Sequence, residues 1–182
     1  GAILSILCIS LVRQTLSNRN INSPSEALDF VREQLAKIFQ SGDSRKIKDG
    51  MDVGFGVIDE ANRQIRYSGA KMTAFILRDS KWIEIKGSKQ HVGYTEKPLP
   101  FKDVTFDYQS GDQLYMFTDG FVDQFGGENN KKYMKRRLMS YVASIADQPM
   151  EKQRELIEKE FHDWKGQEEQ TDDICCFGLK LD

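Results

Sequence analysis

Three aspartates carry the chemistry this sequence could perform: Asp119, Asp172 and Asp173. Asp119 ends the run Leu114-Tyr115-Met116-Phe117-Thr118-Asp119-Gly120, whose bulky apolar residues read as a β-strand launched by the turn Gly111-Asp112. A carboxylate closing an apolar strand is a charge held out of the core at a fixed place, where a divalent cation can sit. Asp172 and Asp173 occur in Gln170-Thr171-Asp172-Asp173-Ile174-Cys175-Cys176-Phe177-Gly178-Leu179-Lys180-Leu181, at the start of a second apolar strand. If the two strands are antiparallel neighbours, the end of one meets the start of the other at a single rim, and the carboxylates of Asp119 and Asp172 converge. Carboxylates crowded together repel unless a cation or a proton intervenes. All-oxygen ligation of Mg²⁺ or Mn²⁺ resolves that repulsion. Asp-Gly is also a favoured turn dipeptide, so either motif alone reads first as an ordinary turn; the specificity lies in the pair.

The elements that must position these acids follow from periodicity. Residues 2–12 are almost continuously apolar and read as a core helix buried all round, too short for the roughly 20 residues a membrane span needs. Ser23-Pro24-Ser25-Glu26 is a capping box with proline at the first helical position, followed by the stripe Leu28, Val31, Leu35, Ile38 and a stop at Gly42. The period then switches to strands at 52–59, 64–69, 73–78, 81–86, 104–108 and 113–118, a run of hairpins implying a largely antiparallel sheet. Two helices follow, one carrying Leu138, Val142 and Ile145, the other beginning near Pro149 and carrying Ile157, Phe161 and Trp164. The last strand is 174–181. Helix pair, strand run, helix pair, strand means α+β layers.

Other residues offer less. Asp52 and Asp123 are candidate accessory acids. His91 and His162 are the only histidines, and with no Cys/His cluster a zinc site is not expected. Lys131, Lys132, Lys135, Arg136 and Arg137 form the one basic run; it reads as a solvated helix face, or as a docking patch for an acidic or phosphorylated partner near Asp119. Neither a Gly-x-Ser-x-Gly elbow nor a Walker-type loop is present. An Asp-rich receiver domain would carry its acid pair on the first strand, not the last. The net charge of −2 over 182 residues excludes the strongly basic footprint of a nucleic-acid binder. Three cysteines fit a reducing compartment, and nothing in this segment points to membrane contact.

Taken together, Thr118-Asp119-Gly120 followed by a helical segment, and Asp172-Asp173-Ile174 leading into a last strand, resemble the metal-dependent protein phosphatases of the PPM (PP2C-type) class. The nearest branch is that of the bacterial SpoIIE/RsbU-like serine phosphatases. Residues 117–127 (Phe-Thr-Asp-Gly-Phe-Val-Asp-Gln-Phe-Gly-Gly) carry the strongest match, and Gly1-Ala2-Ile3-Leu4, Asp49-Gly50-Met51-Asp52 and Ile65-Arg66-Tyr67-Ser68-Gly69-Ala70 agree with it. The resemblance spans nearly the whole chain. It implies an αββα sandwich of largely antiparallel sheets, with residues 1–182 forming one domain that lacks the family's first strands. It also implies a cytoplasmic enzyme hydrolysing phosphoserine or phosphothreonine on a small regulatory phosphoprotein, of the anti-sigma-antagonist kind. The attacking water would be held between two Mn²⁺ or Mg²⁺ ions. Asp119 and Asp172 would be the catalytic metal ligands, Gly120 would let the backbone turn beneath the metal, and Asp173 would support the rim.

In the family an Asp bridging the two metals precedes a Gly-His-Gly motif, and that stretch lies upstream of Gly1. The 182 residues are therefore expected to hold at most one ion weakly and to be inactive by themselves. The alternative is a metal-free regulatory or docking module that keeps the fold. A domain without its first strands leaves a sheet edge and an apolar helix face uncovered, so self-association through residues 2–12 or a strand edge is expected.

Overall fold

The computed structural model describes residues 2–18, 20–40, 50–93, 95 and 97–182. In chain order the elements are α1 (Ala2–Ser17), α2 (Pro24–Gln40), β1 (Gly50–Met51), β2 (Val53–Asp59), β3 (Gln64–Ala70), β4 (Ala74–Arg78), β5 (Lys81–Ile85), β6 (Val92–Gly93), β7 (Val104–Asp107), β8 (Gln113–Phe117), α3 (Asp119–Asp123), β9 (Phe125–Gly126), β10 (Lys131–Lys132), α4 (Lys135–Ser144), α5 (Met150–Lys165) and β11 (Cys176–Lys180). No described helix is long and apolar enough to cross a membrane. The chain packs as two compact units, 1–74 with 85–108 and 75–84 with 109–182.

In the first unit, β2, β3 and β7 form an antiparallel sheet, registered Phe55↔Ser68 and Arg66↔Thr105. The capping signal before α2 is realised: Ser23 Oγ accepts the Glu26 N–H at 3.2 Å while Glu26 Oε2 accepts the Asn22 N–H at 2.8 Å. Leu28, Val31 and Leu35 then face Cys8, Leu11, Ala70, Val92 and Phe101 in one core. Ile38, the fourth member of the stripe, is 41 % exposed. Gly42, the expected stop, lies outside the described residues. The expectation that the first helix is buried all round is corrected. Cys8, Leu11 and Thr15 are buried, but Ile6 is 69 % and Leu16 74 % exposed, because only one flank of α1 meets α2 and the core.

In the second unit, the sheet order is β11-β8-β4-β5, with Tyr115 paired to Phe75 on one side and Gly178 on the other. Its core joins Phe75, Leu77 and Tyr115 of the sheet to Phe121, Tyr133, Leu138, Val142, Ile157 and Phe161. The strands are antiparallel as expected, but they are not one run of neighbours. After Ala70 and again after Asp107 the chain passes from one sheet to the other, so β7 pairs with β3 and β8 with β4. Local turn signals set hairpins; they do not say which sheet the next strand joins.

Candidate metal-binding rim

The rim is built by the register of β8 and β11. Cys176 lies opposite Phe117, which brings Thr118 level with Cys175 just beyond both strands. The Thr118 N–H donates to Cys175 O at 3.0 Å, and the Cys175 N–H donates to Thr118 Oγ1 at 2.9 Å. That hydroxyl donates in turn toward Asp173 O at 3.2 Å. Engaged there, it makes no cap bond to α3, although Thr118 holds the cap position. Asp119 opens α3 immediately after this knot.

Gly120 is where the two acidic segments touch. A Cβ at this position would lie 2.3 Å from Asp173 O and 2.9 Å from its carbonyl carbon. The glycine serves close approach of two backbones. Gly120→Ala is therefore expected to push α3 off the Asp172-Asp173 segment and to lower stability by about 1–3 kcal/mol, the range for overpacking. Urea denaturation checks this, and an unchanged midpoint would show that the approach is not tight.

Asp119, Asp172 and Asp173 are all exposed. Asp172 Oδ1 accepts the Asp173 N–H at 2.7 Å, and its carbonyl accepts Gln170 Nε2–H at 2.8 Å. Exposed carboxylates at the meeting of two strand ends are the hard oxygen donors that Mg²⁺ and Mn²⁺ take. Among the described residues no group of three or more His, Cys, Asp or Glu side chains could hold a metal ion. Asp119 and Asp172 are oxygen donors of the kind a divalent cation takes, but two carboxylates are not a full shell, and water and further oxygens would have to complete it.

Of the accessory acids, Asp123 is paired with Lys132 at 3.1 Å, and Asp52 lies between β1 and β2 in the first unit. The basic run is largely engaged within the second unit. Lys135 bonds Glu84 at 2.8 Å and sits 4.4 Å over the Phe75 ring. Arg137 bonds Glu160 at 3.2 Å and stacks 4.1 Å over Trp164 and 4.8 Å over Tyr133. Lys131 and Arg136 remain exposed members of the run. His162 is exposed beside Phe161, and His91 packs against Gly50 in the first unit. Cys175 and Cys176 are exposed, Cys176 opening the edge strand β11 and Cys175 just before it.

The solved structures that resemble this arrangement are PP2C-type phosphatase domains. The SiaA-PP2C domain of Pseudomonas aeruginosa superposes with a TM-score of 0.86 at 23 % identity, over 100 % of this chain and 70 % of that one. The RsbU and RsbW domains of a Mycobacterium tuberculosis protein give 0.74 at 16 % identity, over 98 % and 47 %. The PP2C phosphatase domain of SpoIIE from Bacillus subtilis, with a fragment of its regulatory domain, gives 0.71 at 17 % identity, over 96 % and 49 %. At these identities the likeness shows the fold, a mixed α/β architecture with antiparallel sheets. A search of curated proteins gives no match. The sequence profile of Stage II sporulation protein E (SpoIIE) matches residues 1–182, end to end, and the chain belongs to the SpoIIE family of PP2C-type phosphatase domains.

Proposed function

We propose that this domain is a divalent-metal-dependent protein serine/threonine phosphatase acting on a regulatory phosphoprotein, and that Asp119 and Asp172 are its metal ligands. The observation carrying this reading is the β8–β11 register, which sets Gly120 against Asp173 and so places both acidic segments on one rim. When bound, Mn²⁺ or Mg²⁺ lowers the pKa of the attacking water and neutralises phosphoryl oxygens. Asp119 presents its carboxylate from the start of a helix whose cap is locked to the neighbouring strand by Thr118. Asp172 presents a second from a segment held at Asp173. No side chain at the rim has to act as a nucleophile. Two acids fall short of the ligands a pair of cations needs, so the 182 residues alone would hold at most one ion, weakly, and turn over little. Lys131 and Arg136 are the members of the basic run best placed to meet an acidic or phosphorylated partner. The test is phosphate release from a phosphoserine peptide and from an aryl phosphate across a Mn²⁺ titration, with and without the upstream family segment. An extended chain that stays inactive with all its acids in place would favour a metal-free docking module.

Self-association fits the same surfaces. The Thr118 N–H bonds Cys175 O and the Leu181 N–H bonds Asp112 O, so odd-numbered residues of β11 face β8 and Cys176, Gly178 and Lys180 turn their amides to the free edge. Beside that edge, Met150, Ile157, Phe161 and Ile174 line a cavity of about 640 Å³ that Glu151, Arg154 and Glu158 border as well, and Phe177 is 43 % exposed. Long apolar edges pair with other strands. Sedimentation of the 182-residue chain is expected to show mass rising with concentration; a clean monomer at high concentration would exclude this pairing.

A further inference from the structure

Gln124 closes α3 with no exposed surface, and both ends of its carboxamide are engaged. Its Nε2 donates to Phe125 O at 2.9 Å and to Glu169 O at 2.9 Å, while its Oε1 accepts the Thr171 N–H at 3.0 Å. Its backbone carbonyl accepts the Tyr133 N–H at 2.9 Å and the Trp164 indole N–H at 3.1 Å. The side chain thus ties the helix that begins at Asp119 to the segment that delivers Asp172, while the backbone carbonyl is held by Tyr133 and Trp164.

We propose that Gln124 is a positioning residue for divalent-cation binding by Asp119 and Asp172; this rests on the reading of those two carboxylates as ligands. The segment between α5 and β11 has no regular structure to hold it before Ile174. Thr118 fastens it downstream of Asp172, through Asp173 O and Cys175. Gln124 fastens it upstream, through Glu169 and Thr171. Asp172 is therefore suspended between two anchors, and both lead back to the helix and strand end that carry Asp119. With the upstream anchor gone, the cation must order residues 169–172 itself, and that entropy is subtracted from binding. The side chain must supply two donors and one acceptor to two carbonyls and one amide; glutamine does so, an ionised glutamate has no donor, and leucine has neither.

The experiment uses Mn²⁺ alone with the 182-residue chain, reading free Mn²⁺ by its EPR signal and the 169–173 amides by hydrogen exchange. Gln124→Leu is expected to weaken Mn²⁺ binding roughly tenfold or more, as loss of partners that orient ligands does, and to speed exchange at Thr171. Gln124→Glu keeps size and the acceptor but sets a carboxylate against two carbonyl oxygens, and should weaken Mn²⁺ binding as well. Gln153→Leu is the control for plain destabilisation: this buried side chain bonds Gln148 O at 2.8 Å on the turn before α5, so it should lower Tm while leaving Mn²⁺ affinity as in wild type. Wild-type Mn²⁺ affinity in both Gln124 variants overturns the proposal, as does an equal loss in Gln153→Leu. If instead Asp119→Asn and Asp172→Asn leave Mn²⁺ binding untouched, the ligand reading itself falls and the positioning role falls with it, even where exchange shows that Gln124 still holds the segment.

Discussion

Asp119→Asn and Asp172→Asn, made singly in a chain extended upstream through the family's remaining acid, should each lower Mn²⁺-dependent kcat/KM by more than roughly 100-fold. Loss of a partner that only orients a ligand typically costs 10–100-fold, and a ligand itself should exceed that; 100-fold corresponds to about 2.7 kcal/mol of transition-state stabilisation. The substitution is nearly isosteric, and both side chains are exposed with no ion pair among the described contacts, so Tm should hardly move. This separates loss of chemistry from loss of fold. Raising Mn²⁺ should partly restore Asp172→Asn, because an amide oxygen remains a weak ligand. The 182-residue chain by itself should release phosphate at background rate even in millimolar Mn²⁺. Equal turnover by the short and extended chains would remove the argument that two acids are too few. Full activity in both asparagine variants would place the metal site elsewhere.

Much of this was legible from residue order. The 3.6 period of Leu28, Val31 and Leu35 and of Ile157 and Phe161 fixes the buried faces of α2 and α5, because one apolar stripe leaves a helix one way to pack. Two apolar strands, one ending and one beginning in acids, could meet at a rim only as antiparallel neighbours, and their backbones do. What was hidden depends on side chains meeting across the fold. Gln124 reads as a surface polar residue after a short helix, yet it is buried because Glu169 and Thr171 come from far along the chain to meet it. Lys135 and Arg137 read as solvated positive charge, yet aromatic rings from β4, β10–α4 and α5 lie beneath them. Asp112 reads as a turn residue like any Gly-Asp pair, yet it is 2 % exposed.

That burial makes Asp112 costly to lose. Its carboxylate receives Arg78 Nε at 2.8 Å and Nη2 at 2.6 Å, a two-toothed charge-assisted contact, and also accepts the Gln109 N–H at 2.8 Å. Its backbone carbonyl accepts the Leu181 N–H at 2.8 Å, while the adjacent Gly111 N–H donates to Leu181 O at 2.8 Å. The residue thus fastens the start of β8 to the end of β4 and the end of β11, at the opposite end of the strands from the acid rim. Surface ion pairs contribute about 0–1 kcal/mol. Breaking a buried pair from one side costs about 3–5 kcal/mol, because the remaining charge loses its partner without regaining full hydration. The Arg78 side chain keeps 23 % of its surface exposed, so water can reach the guanidinium and the lower end applies. Asp112→Ala is expected to destabilise the domain by about 3 kcal/mol, which for a chain of this length lowers Tm by roughly 6–12 °C. Arg78→Met should cost at least as much, since it strands the more deeply buried carboxylate. The double variant should cost less than the sum of the two, the coupling of a contacting pair, although the Gln109 amide then still lacks its acceptor. Thermal and urea unfolding of the four proteins measures that coupling. A loss below about 1 kcal/mol in Asp112→Ala would reduce this contact to an ordinary surface pair and leave the hydrogen-bonded strands themselves as what holds that end of the sheet.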